Sequence, residues 1–221
     1  MAAGVSYEYS VPIDEHRSRG QELIFASTDS NYGAVTGICT EETPLTPLSD
    51  YGITKTKAEA AFMETGNVVV YRSATVFGLS PRLRLDLMIN DCTFQALKNR
   101  QLVVFEKRFR RTFIHVCDMA KAFIHAVENY DQLKDQAYNV GHESVSYTKE
   151  EVAEAIQNKI DYHLNLNEIG LDIDARDYEV SFEKIRQTGF ETDVTLDAGI
   201  NELIFGYKMI DLTNPYSNIE A

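Results

Sequence analysis

Tyr51 and Lys55 stand four residues apart in "DYGITK", so a helix that carries both presents them on one face. An ammonium beside a phenol favours the phenolate and draws a pKa that is normally about 10 towards working pH. A hydroxyl brought in from a neighbouring strand would hold a substrate alcohol while the tyrosine takes its proton, which is general base catalysis with a positioned partner. "FASTDSNYG" offers that hydroxyl in Thr28, because the apolar run Leu23, Ile24, Phe25 gives way at once to Ser27, Thr28, Asp29 and Ser30. Tyr-x-x-x-Lys is weak evidence alone, and Tyr130 with Lys134 repeats it. That second copy lies where a helix runs out, with no hydroxyl-bearing strand before it, and reads as a solvated surface pair. Tyr51 and Lys55 have the fuller context of strand, Ser-Thr, a Pro-containing loop, and a helix that begins at the tyrosine.

The elements that must position these groups follow from periodicity and punctuation. Residues 21–28 predict a buried strand, and a helix is expected from about Tyr51 to a stop at Gly66. "NVVVYRSATVFG" reads as one strand, apolar on both faces as a parallel-sheet strand should be. "DLMINDCTFQALKN" is helical, "QLVVFEKRFRRTFIHV" holds two short strands, "DMAKAFIHAVENY" is an amphipathic helix and "QAYNVG" a short strand. "TKEEVAEAIQNKI" opens with a Thr-x-x-Glu capping box, and "SFEKIRQTGF" and "LDAGINELIFGYK" predict two more helices. Strands alternating with helices imply an α/β sheet with helices packed on it.

The 221 residues suffice for one core or one domain with a small appendage. A net charge of -13 argues against a nucleic-acid or anionic-membrane binder, since both need a basic face. Cys39, Cys92 and Cys117 are widely spaced and form no metal-ligand pattern, so no metal is expected and a reducing compartment is. The N-terminus has no apolar run of signal-peptide length, and no stretch is long enough to span a bilayer. These features predict a soluble cytoplasmic protein.

"FASTDSNYG", "YGITKTKAE", "YRSATVFG", "RRTFIHVCDMAKAF" and "YNVG", in this order, make the chain resemble the extended short-chain dehydrogenase/reductase family, in particular its NAD-dependent nucleotide-sugar epimerases and dehydratases, with UDP-glucose 4-epimerase as the type. The likeness runs through residues 21–205. It implies that Thr28, Tyr51 and Lys55 are the catalytic hydroxyl, base and lysine, and that Ser27, Tyr51, Lys55 and Ala74 face the nicotinamide end of NAD. It also implies substrate contacts from Thr28, Thr75, Asp86, Asn90, Arg111 and Asp174, with Arg176 near the last. Arg111 falls where the family's diphosphate-binding arginine lies, and a charge-assisted contact fits that place. Lys107 and Arg108 read as charges on an exposed strand, and His115 as a structural histidine.

Related sugar 4,6-dehydratases follow the catalytic Thr with Asp and Glu, whereas here Asp29 is followed by Ser30, which cannot serve as a carboxylate base. Members that epimerise at C3 or C5 use a cysteine near this loop, and Cys39 lies too far along to be its counterpart. What remains is oxidation at one sugar carbon, most like C4 epimerisation, although Asp29 can equally be a loop cap. The resemblance further implies a partial Rossmann-like parallel sheet whose N-terminal strands are missing. No Gly-rich turn for the pyrophosphate precedes Phe25, so the adenine and pyrophosphate site is absent and the chain reads as a truncated form. The expected organisation is an irregular arm at 1–20, a truncated catalytic region at 21–150 interleaved with substrate-binding segments at about 79–112, a small C-terminal α/β substrate-binding region at 151–210, and a loose tail at 211–221. The alternative is a non-catalytic remnant that binds a nucleotide sugar or a protein partner. The expected partners are a nucleotide-diphosphate sugar and further copies of the chain, which would associate through the exposed sheet edge.

Overall fold

A computed structural model describes residues 16–18, 20–35, 37–105, 107–167 and 179–209. The first predicted strand is β1 (Leu23–Thr28), which runs directly into a 3-10 turn over Asp29–Tyr32. A two-residue β2 (Ile38–Cys39) precedes α1 (Asp50–Thr65). Ser49 caps α1 by accepting from the Gly52 amide at 3.1 Å, which satisfies one of the free donors of the first turn.

The stretch 67–78 is two strands rather than the single one expected. β3 (Val68–Ser73) and β4 (Thr75–Phe77) part at Ala74, whose amide donates to Val140 O at 2.9 Å as the chain leaves one sheet for another. Then come α2 (Met88–Asn99), β5 (Gln101–Phe105), β6 (Arg110–His115), α3 (Val116–Glu128), the one-turn α4 (Tyr130–Leu133) and β7 (Gln136–Val140). β8 (Ser146–Thr148), α5 (Lys149–Gln157), β9 (His163–Asn167), β10 (Glu179–Val180), the one-turn α6 (Glu183–Arg186) and α7 (Leu196–Met209) complete the described chain. The helix expected across "SFEKIRQTGF" is only this one turn, because the chain then tightens to i−3 bonds, Thr188 N donating to Ile185 O at 3.0 Å and Gly189 N to Arg186 O at 2.9 Å, and turns away at Gly189 with φ 89.

β1, β3 and β7 form a parallel sheet in that order, with Leu23 opposite Val68 and Thr28 opposite Ser73. β3 is central, so its alternate residues enter two cores. Val68 and Val70 pack with Phe25, Ala58 and Phe62 on the α1 side, and Val69 and Tyr71 pack with Ala122 and Ala126 on the α3 side. Burial of each such large side chain contributes roughly 1.5–3 kcal/mol. β4 pairs with β6, which pairs antiparallel with β8, while β5 with β9 and β2 with β10 make short parallel pairs. A further core joins Phe77 and Phe113 to Ile89, Ile156, Ile200 and Leu203 from α2, α5 and α7.

Tyr130 corrects one expectation. It is 5% exposed, and its hydroxyl accepts from Leu23 N at 2.9 Å and donates to Asn67 O at 2.5 Å, so it pins the start of β1. Lys134 alone is solvated, paired with Asp131 at 2.7 Å, and it lies in extended backbone beyond α4, so the two side chains share no helix face. Of the arm expected at 1–20, residues 1–15 and 19 lie outside the described residues, as do Asp174, Arg176 and the tail at 211–221. No helix among the described residues is long and apolar enough to cross a membrane.

Candidate active site

In open α/β sheets, ligands bind beyond the carboxyl ends of the strands. Here the parallel register of β1 and β3 sets Thr28 beside Ser73 at that end. A cavity of about 340 Å³ opens over them. Thr28, Asp29 and Ser30 line it from the end of β1, Tyr51 from the first turn of α1, Ala74 and Thr75 from the break between β3 and β4, and Arg84 with Leu87 from the loop before α2. Four of the predicted site residues, Thr28, Tyr51, Ala74 and Thr75, therefore share one wall system.

The Thr28 hydroxyl accepts from Ser30 N at 3.2 Å and donates to Ser30 Oγ at 3.0 Å, so it caps the 3-10 turn. Tyr51 is 44% exposed at the mouth. Lys55 reaches along the same face of α1, its Nζ 6.0 Å from the centroid of the Tyr51 ring and 2.8 Å from Ala26 O, to which it donates. Burial pulls its ammonium below the ordinary lysine pKa. The Asp29 carboxylate is buried at 4% exposure, and its Oδ2 accepts from the Thr112 hydroxyl at 2.9 Å.

The other predicted residues are placed elsewhere. The Ser27 hydroxyl turns into the protein and donates to Glu59 Oε2 at 2.6 Å. Asn90 is 1% exposed; its Oδ1 accepts from Gly78 N at 3.0 Å and its Nδ2 donates to Arg84 O at 2.9 Å, so it ties the loop before α2 together. Asp86 is exposed and holds Arg84, accepting from Nε at 2.7 Å and Nη2 at 2.5 Å. Arg111 lies on β6 opposite Tyr147, and the alternation of that strand sets it on the Phe113 face, away from Arg110 and Thr112. Lys107 and Arg108 sit in the turn before β6 rather than on a strand, with Lys107 paired to Glu150 at 2.9 Å. His115 is buried: its Nδ1 accepts from Cys117 N at 3.3 Å, and its Nε2 lies 3.0 Å from Glu202 Oε2.

Arg84 is a cavity residue that sequence patterning missed, as are Ser73, Val76 and Leu87. It belongs to "SPRLRLD", from which Asp86 was singled out, and no local period marks one of these side chains over the other. Its charged form is favoured first by the Asp86 hydrogen bond and, least, by the nearby Tyr51, with burial opposing. Glu59 was also missed, although its spacing of four from Lys55 on α1 was a usable signal. Cys39 is fully buried; burial first and Asp29 second push its thiol up to about 11, so it is a poor proton donor or acceptor near neutrality. Among the described residues, no group of three His, Cys, Asp or Glu side chains is placed to hold a metal.

Residues 13–141 match the sequence pattern of the NAD dependent epimerase/dehydratase family. An uncharacterized UDP-glucose epimerase of Bacillus subtilis (strain 168) is 34% identical over 127 residues, 55% of this chain and 39% of that protein. The match thus spans about two fifths of the relative's length. The dTDP-glucose 4,6-dehydratase of Bacillus anthracis, solved in complex with NAD, is 25% identical with a TM-score of 0.79, over 94% of this chain and 68% of that one. The UDP-glucose 4-epimerase of Thermotoga maritima, solved with UDP-glucose, has the same fold at a TM-score of 0.81 and 20% identity, over 94% of this chain and 70% of that one.

Proposed function

The chain belongs to the NAD-dependent epimerase/dehydratase family, and from that membership we propose that it acts on a nucleotide-diphosphate sugar by hydride abstraction at a sugar carbinol, most like C4 epimerisation. The observation that carries this reading is that Thr28 and Tyr51 line one cavity, with Lys55 on the tyrosine's helix face. Thr28 holds the sugar hydroxyl, Tyr51 takes its proton, and Lys55 favours the phenolate. Arg111 holds the diphosphate, and Thr75 and Arg84, which line the same cavity, contact the sugar. Asp86 and Asn90 act on the substrate through Arg84 and its loop, and Asp174 contacts the nucleotide.

Ser30 supports epimerisation over dehydration, because a hydroxyl in that place cannot take up a carbon-bound proton as a carboxylate does. Cys39 is fully buried and does not line the cavity, which speaks against cysteine-based epimerisation at C3 or C5. The cofactor of this reading is NAD, which supplies the hydride acceptor. The residues fit its nicotinamide end: Ala74 is a small, 1% exposed side chain on the cavity wall beside Thr28 and Tyr51. A cytoplasmic location and association with further copies belong to the same reading.

A second reading, binding of a nucleotide sugar without turnover, draws on one observation. The described residues contain no strand, Gly-rich turn and helix in sequence that would cradle a pyrophosphate. One assay separates the two. Incubated with UDP-glucose and with NAD held well above millimolar concentration, the chain is expected to form UDP-galactose, detectable by chromatography, and Tyr51→Phe is expected to abolish this while leaving sugar-nucleotide binding nearly unchanged. Retention of more than about a tenth of the wild-type kcat in Tyr51→Phe would remove the tyrosine from the role of base. Binding without any product would favour the second reading.

A further inference from the structure

Tyr51, Lys55 and Glu59 follow one another at intervals of four residues and form a single stripe along α1. Glu59 lies roughly 12 Å along the helix axis from Tyr51, at 1.5 Å per residue, so it cannot touch the atoms that react at the tyrosine. Its side chain is nevertheless 4% exposed, and its two oxygens accept four hydrogen bonds. Oε2 accepts from Ser27 Oγ at 2.6 Å and Asn31 Nδ2 at 3.1 Å. Oε1 accepts from Arg72 Nε at 3.0 Å and Nη2 at 2.6 Å. Ser27 immediately precedes Thr28, and Asn31 lies in the turn that follows it. One carboxylate on the Tyr51/Lys55 stripe therefore grips both flanks of Thr28.

The grip is anchored in the sheet. Arg72, on the central strand β3, also donates through Nη1 to Tyr32 OH at 3.0 Å and to Glu41 O at 3.1 Å. Tyr32 OH donates to Asn139 Oδ1 on β7 at 2.6 Å. Burial, outweighing Arg72 and its hydrogen bonds, pushes the Tyr32 phenol up to about 12, so the hydroxyl keeps the proton that this last bond requires. Asn139 in turn accepts nothing from solvent at 0% exposure and donates through its backbone amide to Glu41 Oε1 at 2.7 Å. A buried ion pair is a poor way to gain stability, since apolar side chains of the same shape often do as well or better. What it supplies that apolar packing does not is direction.

We propose that Glu59, held by Arg72, is a positioning residue that fixes the Thr28 turn against the Tyr51/Lys55 face of α1. This rests on the reading of Thr28, Tyr51 and Lys55 as the reacting groups. The test uses the 221-residue chain and three variants: Ser27→Ala, Glu59→Gln, and the double Glu59→Leu/Arg72→Met, which keeps the volume and removes the charges. Amide exchange by NMR reads the turn, where Ser30 N is bonded to Thr28 Oγ1; urea unfolding reads the whole molecule; calorimetry reads UDP-glucose affinity. The double variant is expected to keep its urea midpoint while exchange of the Ser30–Tyr32 amides speeds up at least tenfold and UDP-glucose binds about tenfold more weakly. Glu59→Gln should fall between it and wild type, and Ser27→Ala should loosen the turn with little change in midpoint. Turn protection within twofold of wild type in the double variant would overturn the proposal, and should that variant unfold, the same result in Ser27→Ala would overturn it. Loosened turns in a chain that binds no UDP-glucose in any form would support the positioning role and count against the nucleotide-sugar reading.

Discussion

At the scale of single residues, the 21 basic side chains are outnumbered by 34 acidic ones, which makes an arginine close to the site informative. Arg111 is half-buried on β6 and Arg108 is exposed in the preceding turn, three residues away. A charge-assisted contact to a diphosphate contributes roughly 1.5–3 kcal/mol. Arg111→Ala is therefore expected to weaken UDP-sugar affinity about tenfold or more by calorimetry, and Arg108→Ala much less. Equal losses would replace the specific contact with a diffuse basic patch. Cys39 gives a pH prediction. Its thiol is raised from 9.0 to about 11 in the folded chain, so between these values the unfolded state has released a proton that the folded state keeps. Its contribution is whole below the unfolded pKa and is lost as pH rises towards 11. The urea-derived stability of wild type minus that of Cys39→Ala should fall by about 1 kcal/mol per pH unit around the middle of that window. A flat difference would mean that the thiol is not held in its neutral form.

At the scale of elements, the loop between β4 and α2 is built around a close approach. Gly78 has φ +117, and a Cβ placed there would lie 2.4 Å from Nε2 of the buried His115. Its amide is the donor that Asn90 uses to hold the loop carrying Arg84. Both the backbone strain and the collision oppose a side chain, so Gly78→Ala is expected to lower stability by about 2 kcal/mol or more in urea. It should also displace Arg84, seen as weaker UDP-glucose binding. A variant as stable as wild type would mean that the loop and His115 part without cost. The elements that were legible beforehand are those with local causes. Thr148 and Glu151 form the expected reciprocal cap of α5, Thr148 Oγ1 accepting from Glu151 N at 3.1 Å and Glu151 Oε2 from Thr148 N at 2.7 Å. β2 and β10 were not legible, because each is two residues long and exists only by pairing Ile38 with Glu179 across most of the chain.

At the scale of the whole molecule, β1 has a strand neighbour on one side only among the described residues. A parallel edge with unpaired amides and carbonyls invites pairing with another chain. Lys55 occupies one such carbonyl, Ala26 O, which blunts the edge without covering it. Among the described residues no strand, Gly-rich turn and helix follow one another to cradle a pyrophosphate, and such a cradle is where much of the orientation and affinity for NAD resides. The purified chain is therefore expected to self-associate by light scattering and to bind NAD no tighter than about millimolar, roughly -4 kcal/mol. A clean monomer with micromolar affinity for NAD would show that both the edge and the cofactor site are completed by residues outside those described.

The sequence by itself determined the family, the α/β alternation, and the helix that puts Tyr51 and Lys55 on one face behind a Thr28 strand. Those features are set by side-chain period, capping residues and turn chemistry, all of which act within a few residues of one another. Tertiary structure alone decided that Ser27 turns to Glu59 rather than to the cavity, that Arg84 rather than Asp86 lines its wall, and that Asn90 holds a loop. It also decided that Ala74 marks a change of sheet and that Tyr130 belongs to the core. Each of these outcomes depends on which partner meets a buried polar group once distant segments close on one another. A polar side chain carries no local mark of that partner, because its hydrogen-bonding capacity is the same whether the group that satisfies it is a neighbour in the chain or one brought in from across the sheet.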